Sequence, residues 1–477
     1  MKNFTILFTI LFLLLSGVTA QDFNTNLKFS RSMDSLELVN YIDSIAGAEF
    51  LAGFSAVAVC GNQITWKHNY GYQNVEDAIP VDDSTIFTLY SVSKPVTSAT
   101  LMHMADKNII DIDNNINDYL PFNVTNPDFP LNIISARQLM SHVSSIRDLN
   151  IYNNITYGSD SPIPLGTYLA GYLVPGGTYW DPLNYRESDP PGNKYEYCNI
   201  GLALAGYLTD TLAEGSFTEY CRDSILLPLE MNTAAYLISE LDTNHWARWY
   251  SLSPDHQWIQ DPYFGIPWYP AASLCATSLE LTNFMIMMMN GGAFKNSQLL
   301  AESSVNEMCT RQFPEAGGEY GLGVSLKNLN GRDLLGHMGG ANEMRWSEDE
   351  NTGAIFLCNM SSLGVVPRNQ IMQALLDYAG LFTTVPENSD AAYIDFQVYP
   401  NPATNRVNLS FNLEGSADGS SISIYDLCGR DILTRAFSGK SEGQYRVSID
   451  MSGYPTGTYL IKFATKDQVG IKKLVKR

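Results

Sequence analysis

Two spacings of apolar residues organise the chain. Residues 54–60 and 64–70 read as two strands joined at Gly61-Asn62, and residues 32–45 read as a helix ahead of them. The stretch "LYSVSKPVTSATLMHMAD" begins at Leu89. Before it, Thr85 to Tyr90 is strand- or turn-like. After Pro95, the residues Val96, Ala99, Leu101, Met102 and Met104 fall at helical spacing, which predicts an amphipathic helix. Proline lacks an N–H and is tolerated in a first turn, so Pro95 fixes the helix start near Ser91. A further helix is predicted over residues 279–290. Thr277 and Glu280 have capping-box spacing, Gly291-Gly292 ends it, and its methionines, Met285 to Met289, are assigned to core packing.

The character changes after Leu381. "TTVPENSDAAYID" is polar and contains proline, which marks a linker. Short alternating segments follow: Val407, Leu409, Phe411 and Leu413; Ile422 and Ile424; Val447, Ile449 and Met451; Tyr459, Ile461 and Phe463. Glycine and asparagine clusters separate them, the pattern of a small all-β sandwich. The expected organisation is a mixed helix-and-strand domain over residues 26–382, a linker over 383–395 and a sandwich over 396–477.

Charge and cysteines narrow the chemistry. A formal net charge of −21 opposes non-specific binding to nucleic acid and to anionic membranes. Lys2, an apolar run and the small-residue ending Val18-Thr19-Ala20 form a secretory signal peptide over residues 1–20. No later stretch reaches transmembrane length, so no transmembrane anchor is expected in the mature chain. The seven cysteines include no C-x-x-C pair and no histidine-rich cluster. Neither a metal site nor any other cofactor is expected, and the cysteines read as small apolar residues.

Ser91 and Lys94 alone fit an N-cap serine and a solvated lysine. Two other segments change that. "PPGNKYEYCNIGLALAGYL" places Tyr197-Cys198-Asn199 at a loop-to-helix junction. "LLGHMGGANEMRW" places His337, Gly339 and Gly340 at the end of a strand, where glycine marks close approach of another group to the backbone. Ser91–Lys94, Tyr197–Asn199 and His337–Gly339 together resemble the S-x-x-K, Y-x-N and K/H-x-G signatures of the serine β-lactamase and penicillin-binding-protein superfamily. The likeness is to its class C-like branch of esterases and D-amino-acid peptidases. "ARQLMSHVSSIRDL", "AASLCATSLELTNFMIMMMNGG" and "YGLGVSL" resemble its usual context.

The resemblance implies an α+β fold, an antiparallel sheet flanked by helices with a mostly helical subdomain. It implies a serine hydrolase working through an acyl-enzyme on a small-molecule or peptide ester or amide. Ser91 would be the nucleophile, and a serine hydroxyl needs a base. Lys94, desolvated in a cleft, and Tyr197, as phenolate near cations, are the two candidates. Asn199 would bind Lys94 and the acyl side of the substrate. The N–H groups of Ser91 and Gly340 would form the oxyanion hole, and His337 would lend electrostatic support. Met338 stands where many relatives carry a hydroxyl that helps hold a substrate carboxylate. This weakens the case for cleavage of antibiotics or of D-Ala-D-Ala. Ser145 replaces a usual glycine and reads as structural. Cys198 reads as the small middle residue of Y-x-N.

Other features compete. Gly439-Lys440-Ser441-Glu442-Gly443 matches G-x-S-x-G but lies in a polar turn of the all-β tail, without strand-to-helix context. His142 and His245 read as structural, and His256, beside Asp255 in an aromatic loop, as a cleft-lining candidate. Tyr399-Pro400-Asn401-Pro402, Tyr425-Asp426 with Gly429-Arg430, and Gly457-Thr458-Tyr459 resemble a type IX secretion C-terminal sorting domain. That implies export through the periplasm of a Gram-negative cell and a partner in the outer-membrane secretion machinery. The rival reading from another class is a non-catalytic surface protein that keeps the fold for binding.

Overall fold

A computed structural model describes residues 35–361, 363–382, 392–393, 396–413, 420–426, 431–437, 443–465 and 468–477. The signal peptide, most of the linker, and residues 439–442 of the G-x-S-x-G match lie outside the described residues.

The first helix, α1, is Ser35–Ala48, so it runs three residues beyond the predicted end. Strands β1 (Gly53–Cys60) and β2 (Gln63–Asn74) form the expected hairpin. Together with β3 (Ile79–Pro80), β4 (Ser325–Leu329), β5 (Arg332–Gly339), β6 (Asn342–Ser347) and β7 (Thr352–Cys358) they make a seven-stranded sheet. Its order is β4-β5-β6-β7-β1-β2-β3, and the pairings are antiparallel. The N-terminal hairpin therefore completes a sheet begun by residues more than 250 positions later. A strand presents alternate side chains to opposite faces. Phe54, Ala56 and Ala58 face one core with α1 and α5 (Val365–Gly380). Val57 and Val59 face the other, larger core.

That larger core holds α2 (Ser93–Asp106), α3 (Asn199–Leu212) and α4 (Ser278–Met289). The Thr277–Glu280 capping box of α4 forms as expected. Met285 packs so closely on β7 that a Cβ on Gly353 would lie under 3 Å from it. The amphipathic reading of α2 needs correction. Ser93 to Met102 are all buried, including Ser93, Lys94, Thr97, Ser98 and Thr100. The sheet, α3 and the turn at Tyr269–Ala271 pack against it, and two of its buried hydroxyls bond to protein carbonyls: Thr97 Oγ1 donates to Pro270 O (2.6 Å) and Thr100 Oγ1 back to Val96 O of the same helix (2.8 Å).

The C-terminal segment is all strand. Ala392–Tyr393, Ser420–Asp426, Asp431–Phe437, Gly457–Ala464 and Gln468–Lys476 form one sheet, and Phe396–Tyr399, Arg406–Leu413 and Gly443–Asp450 a second. Val407, Leu409, Phe411, Ile422, Ile424, Ile449, Ile461 and Phe463 build a core of its own, on the alternation expected. Among the described residues no helix is long and apolar enough to cross a membrane.

Candidate active site

Three local devices bring the motif residues together. The first delivers Ser91. Phe87–Thr88 pairs with Cys275–Ala276, Leu89 N–H donates to Leu274 O (2.8 Å), and the chain then tightens into a single 3-10 turn, Tyr90–Val92, that leads into α2. Tyr90 sits at a φ of 50°, uncommon for a bulky residue and costly unless its surroundings impose it. Ser93 secures the turn: its hydroxyl donates to Tyr90 O (2.5 Å) and accepts from Leu274 N–H (3.0 Å).

The second device positions Tyr197 and Asn199. Asp148 lies at the N-terminus of α3. Its carboxylate accepts from the Asn199 backbone N–H (2.8 Å), the Asn199 side-chain amide (2.7 Å) and Ile200 N–H (3.0 Å). Negative charge there satisfies orphan donors and suits the helix dipole. His142, buried and at a φ of 60°, accepts Cys198 N–H on Nδ1 (3.1 Å) and packs tilted against the Tyr197 ring at 4.4 Å between centroids. Its Nε2–H, which must then carry the proton, has no hydrogen-bond partner among the described residues.

The third device is strand β5. An added Cβ on Gly339 would lie under 3 Å from Ser91 N, Leu89 O and Val92 N, so only glycine admits this approach, as its place in the motif predicts. Gly340 follows at a φ of 58°, and its carbonyl accepts from Arg368 Nη1 of α5 (3.0 Å). Arg368 in turn meets Glu343 of β6, a fully buried carboxylate that also pairs with Arg345 and Lys327.

These devices converge on one oxygen. Ser91 Oγ lies 3.0 Å from Lys94 Nζ and 2.9 Å from the Tyr197 hydroxyl. Lys94 is fully buried; its Nζ also lies 2.7 Å from Asn199 Oδ1 and 2.9 Å from Ala271 O, and it rides over the Tyr197 ring at 4.8 Å. Burial lowers its pKa to about 7, against an opposing pull from Asp148. Burial pushes the Tyr197 phenol far above its ordinary value. Of the two candidate bases, the Tyr197 phenolate is therefore disfavoured, and Lys94 is favoured.

Two further expectations change in detail. Asn199 meets Lys94, but its amide nitrogen is turned to Asp148 rather than toward the cleft. His337 is not cationic. Its Nδ1–H donates to Met338 O (2.6 Å), its Nε2 accepts the Tyr320 hydroxyl, and burial and the nearby Lys94 hold its pKa well below the usual imidazole value. Ser145 adopts a φ of 63° and its hydroxyl accepts from Asn126 Nδ2 (3.0 Å), a structural role in a conformation that glycine adopts freely. The Cys198 thiol donates to Asp148 (3.3 Å) and burial raises its pKa well above the ordinary range, as a packing residue requires. The other described cysteines are likewise free thiols. His245 meets the Ser84 hydroxyl (2.9 Å). His256 does not line the cleft: it stacks on Phe50 at 4.4 Å, at the tip of the hairpin Trp249–Leu252 and Trp258–Asp261.

Sequence reasoning assigned no role to Asp148, Tyr320 or Ala271. All three lie inside segments whose overall likeness was recognised, but residue type alone does not say which amide or ring a carboxylate or phenol will face. Ala271 acts through its carbonyl, which leaves no side-chain signal.

A cavity of about 620 Å³ adjoins this centre. Tyr90, Trp246, Trp249, Tyr263, Phe264 and Tyr269 are among its walls, which places the aromatic loops between Trp246 and Tyr269. Ser91, Lys94 and Tyr197 do not line it. It touches them through neighbours: Tyr90 precedes Ser91, and Ala272 follows the carbonyl that holds Lys94.

Comparison with known proteins gives the same frame. The Beta-lactamase family model matches residues 40–376, and the Secretion system C-terminal sorting domain model matches residues 397–477. "Protein flp" of Staphylococcus aureus (strain MRSA252) is 22% identical over 317 residues, 65% of this chain and 60% of that protein, so the match spans less than two thirds of its length. Among solved structures, the octameric penicillin-binding protein homologue from Pyrococcus abyssi has a TM-score of 0.58 at 17% identity, over 92% of this chain and all of that one. D-amino acid amidase from Ochrobactrum anthropi SV3 has 0.55 at 18%, over 73% of this chain and all of that one. At these identities the likeness is one of fold.

Proposed function

Because this chain belongs to the beta-lactamase family, we propose that it is an exported serine hydrolase that cleaves an ester or amide through an acyl-enzyme on Ser91. The observation that carries the reading is the convergence of Lys94 Nζ and the Tyr197 hydroxyl on Ser91 Oγ, at 3.0 and 2.9 Å.

The donor count around Lys94 assigns its part. A neutral amine has two N–H groups and one lone pair. Asn199 Oδ1 and Ala271 O take the two N–H groups, which leaves the lone pair facing Ser91 Oγ. With a pKa of about 7, much of Lys94 is in this form at neutral pH. In acylation Ser91 Oγ bonds to the substrate carbonyl carbon and its proton passes to Lys94. Lys94 then gives that proton to the departing alcohol or amine as its bond breaks. In deacylation water attacks the acyl carbon, Lys94 takes its proton, and the proton returns to Ser91 Oγ as the acid leaves. Tyr197, kept neutral, donates to Ser91 Oγ and steadies the developing charge. The N–H groups of Ser91 and Gly340 receive the carbonyl oxygen; one such donor is typically worth about 10²–10³ in rate.

The C-terminal sorting domain indicates secretion or cell-surface export. The route we propose is through the periplasm of a Gram-negative bacterium to the outer-membrane secretion machinery. Activity is tested with a fluorophosphonate label and a short-chain ester. Wild type should label and turn over, and Ser91→Ala should do neither while keeping its circular dichroism. Turnover undiminished in Ser91→Ala, or no labelling of wild type, refutes the reading; the second outcome leaves a binding scaffold.

A further inference from the structure

We propose that the aromatic cavity beside Ser91 holds the acyl part of the substrate and selects an apolar acyl group bearing a positively charged amine over one bearing a carboxylate. The proposal rests on the acyl-enzyme reading above and names the substrate class of that same site.

Position comes first. The cavity is walled by Tyr90, which precedes Ser91, and by Ala272 and Ser273, which follow the carbonyl that holds Lys94. Lys94 fills the space behind the nucleophile, and β5 closes the site along Ser91 N. The cavity's volume of about 620 Å³ lies within the ~300–1,000 Å³ range usual for small-molecule sites.

Its lining sets the chemistry. Rings dominate the walls, and ring faces attract cations as well as apolar groups. Among the described residues the charged side chains that line it are Asp160 and Asp210, and no lysine, arginine or histidine does. Asp160 accepts from Ile238 and Ser239 N–H groups (2.6 and 3.1 Å), and Asp210 from Phe217 N–H (2.9 Å). Backbone donors hold both carboxylates in place, and among the described residues neither meets a basic side chain in an ion pair. Each keeps lone pairs for a ligand ammonium.

A carboxylate would find no compensation at the third motif either. Met338, its middle residue, is 43% exposed and offers neither a charge nor a hydroxyl. The nearby cations are occupied: Arg345, Arg368 and Lys327 surround Glu343, and Arg368 also holds Gly340 O. The chain's net charge of −21 adds a long-range bias of the same sign.

The test uses the full chain and three para-nitrophenyl phenylacetates that differ only in the para substituent of the acyl ring: aminomethyl, ethyl or carboxymethyl. At low salt, kcat/KM should fall in that order, by roughly tenfold from first to last, and the spread should shrink at high salt. Asp210→Asn keeps an oxygen to accept Phe217 N–H, and Asp160→Asn keeps one of the two that accept Ile238 and Ser239 N–H; both should bring the aminomethyl-to-ethyl ratio toward one. A carboxymethyl ester hydrolysed as well as the aminomethyl ester overturns the proposal, as does a ratio unmoved in both variants. The hydrolase reading is judged separately, by para-nitrophenyl acetate, whose acyl group is too small to fill the cavity. Turnover of acetate with the wrong order in the series sinks this proposal alone. Loss of both, without labelling of Ser91, sinks the two together.

Discussion

At the scale of single residues, the decisive feature is a lysine with nowhere to put a charge. Lys94 is fully buried and its pKa falls from 10.5 to about 7. The rate should therefore rise with pH through about 7 as the free base accumulates, then hold level to at least the pH range where exposed tyrosines ionise, since burial keeps Tyr197 protonated. His337 titrates well below its ordinary value and should add no limb near neutrality. A pH–kcat/KM profile checks this, and a bell centred on a tyrosine ionisation would contradict it. Stability carries the same sign. Between pH about 7 and 10.5 the unfolded chain holds the Lys94 proton and the folded chain does not, so this group's contribution to stability rises with pH across that window. Asp148 is the residue whose loss should be most instructive. Asp148→Ala removes the acceptor for Asn199 N–H, Asn199 Nδ2 and Ile200 N–H. A lost helix cap costs about 0.5–2 kcal/mol. A released Asn199 amide should also lower kcat by at least an order of magnitude, through a misplaced Lys94. Thermal unfolding and steady-state kinetics measure the two effects separately.

At the scale of elements, the site is a contact between one helix start and one strand end. α2 begins on a 3-10 turn that Tyr90 enters at positive φ, and β5 presses Gly339 against it. Gly339→Ala should be destabilising by about 1–3 kcal/mol, the usual range for overpacking. Its larger effect should be on kcat, because the new methyl would meet Ser91 N, one of the two proposed oxyanion donors. Gly443→Ala, at a strand start with nothing near its Cβ, provides the contrast: strain from a φ of 148°, without loss of rate. Denaturant melts together with kcat for both variants decide it. Equal rates in Gly339→Ala and wild type would show that β5 does not shape the hole.

At the scale of the whole molecule, chemistry and sorting lie in separate cores. The candidate site draws on residues from Ser91 to Arg368, all within the span matched by the beta-lactamase family, while the C-terminal strands pack around Val407, Phe411, Ile424, Ile461 and Phe463. A chain ended before residue 396 should keep its kcat/KM on a short ester and should fail to leave the periplasm of a host with type IX secretion. Assay of cell fractions measures both, and export of the shortened chain would remove the sorting role.

Much of this was legible in the sequence because it is periodic or local. Alternation at Phe54, Ala56 and Ala58 and along Val407, Leu409 and Phe411 follows from the strand repeat of two. The Thr277–Glu280 cap lies within four residues. The three motifs named Lys94, Tyr197 and Gly339, which the fold brings to Ser91. What sequence could not supply is everything set by contact at a distance. The helical period of α2 does not tell that both its faces are covered, and so it reads as amphipathic. The pKa of Lys94 depends on complete burial, the neutrality of His337 on burial beside Lys94, and the anchoring of Asn199 on a carboxylate 51 residues away. Periodicity is a property of the backbone repeat and survives in a one-dimensional string. Desolvation and hydrogen-bond partnership are properties of the space around an atom, and only the folded chain creates that space.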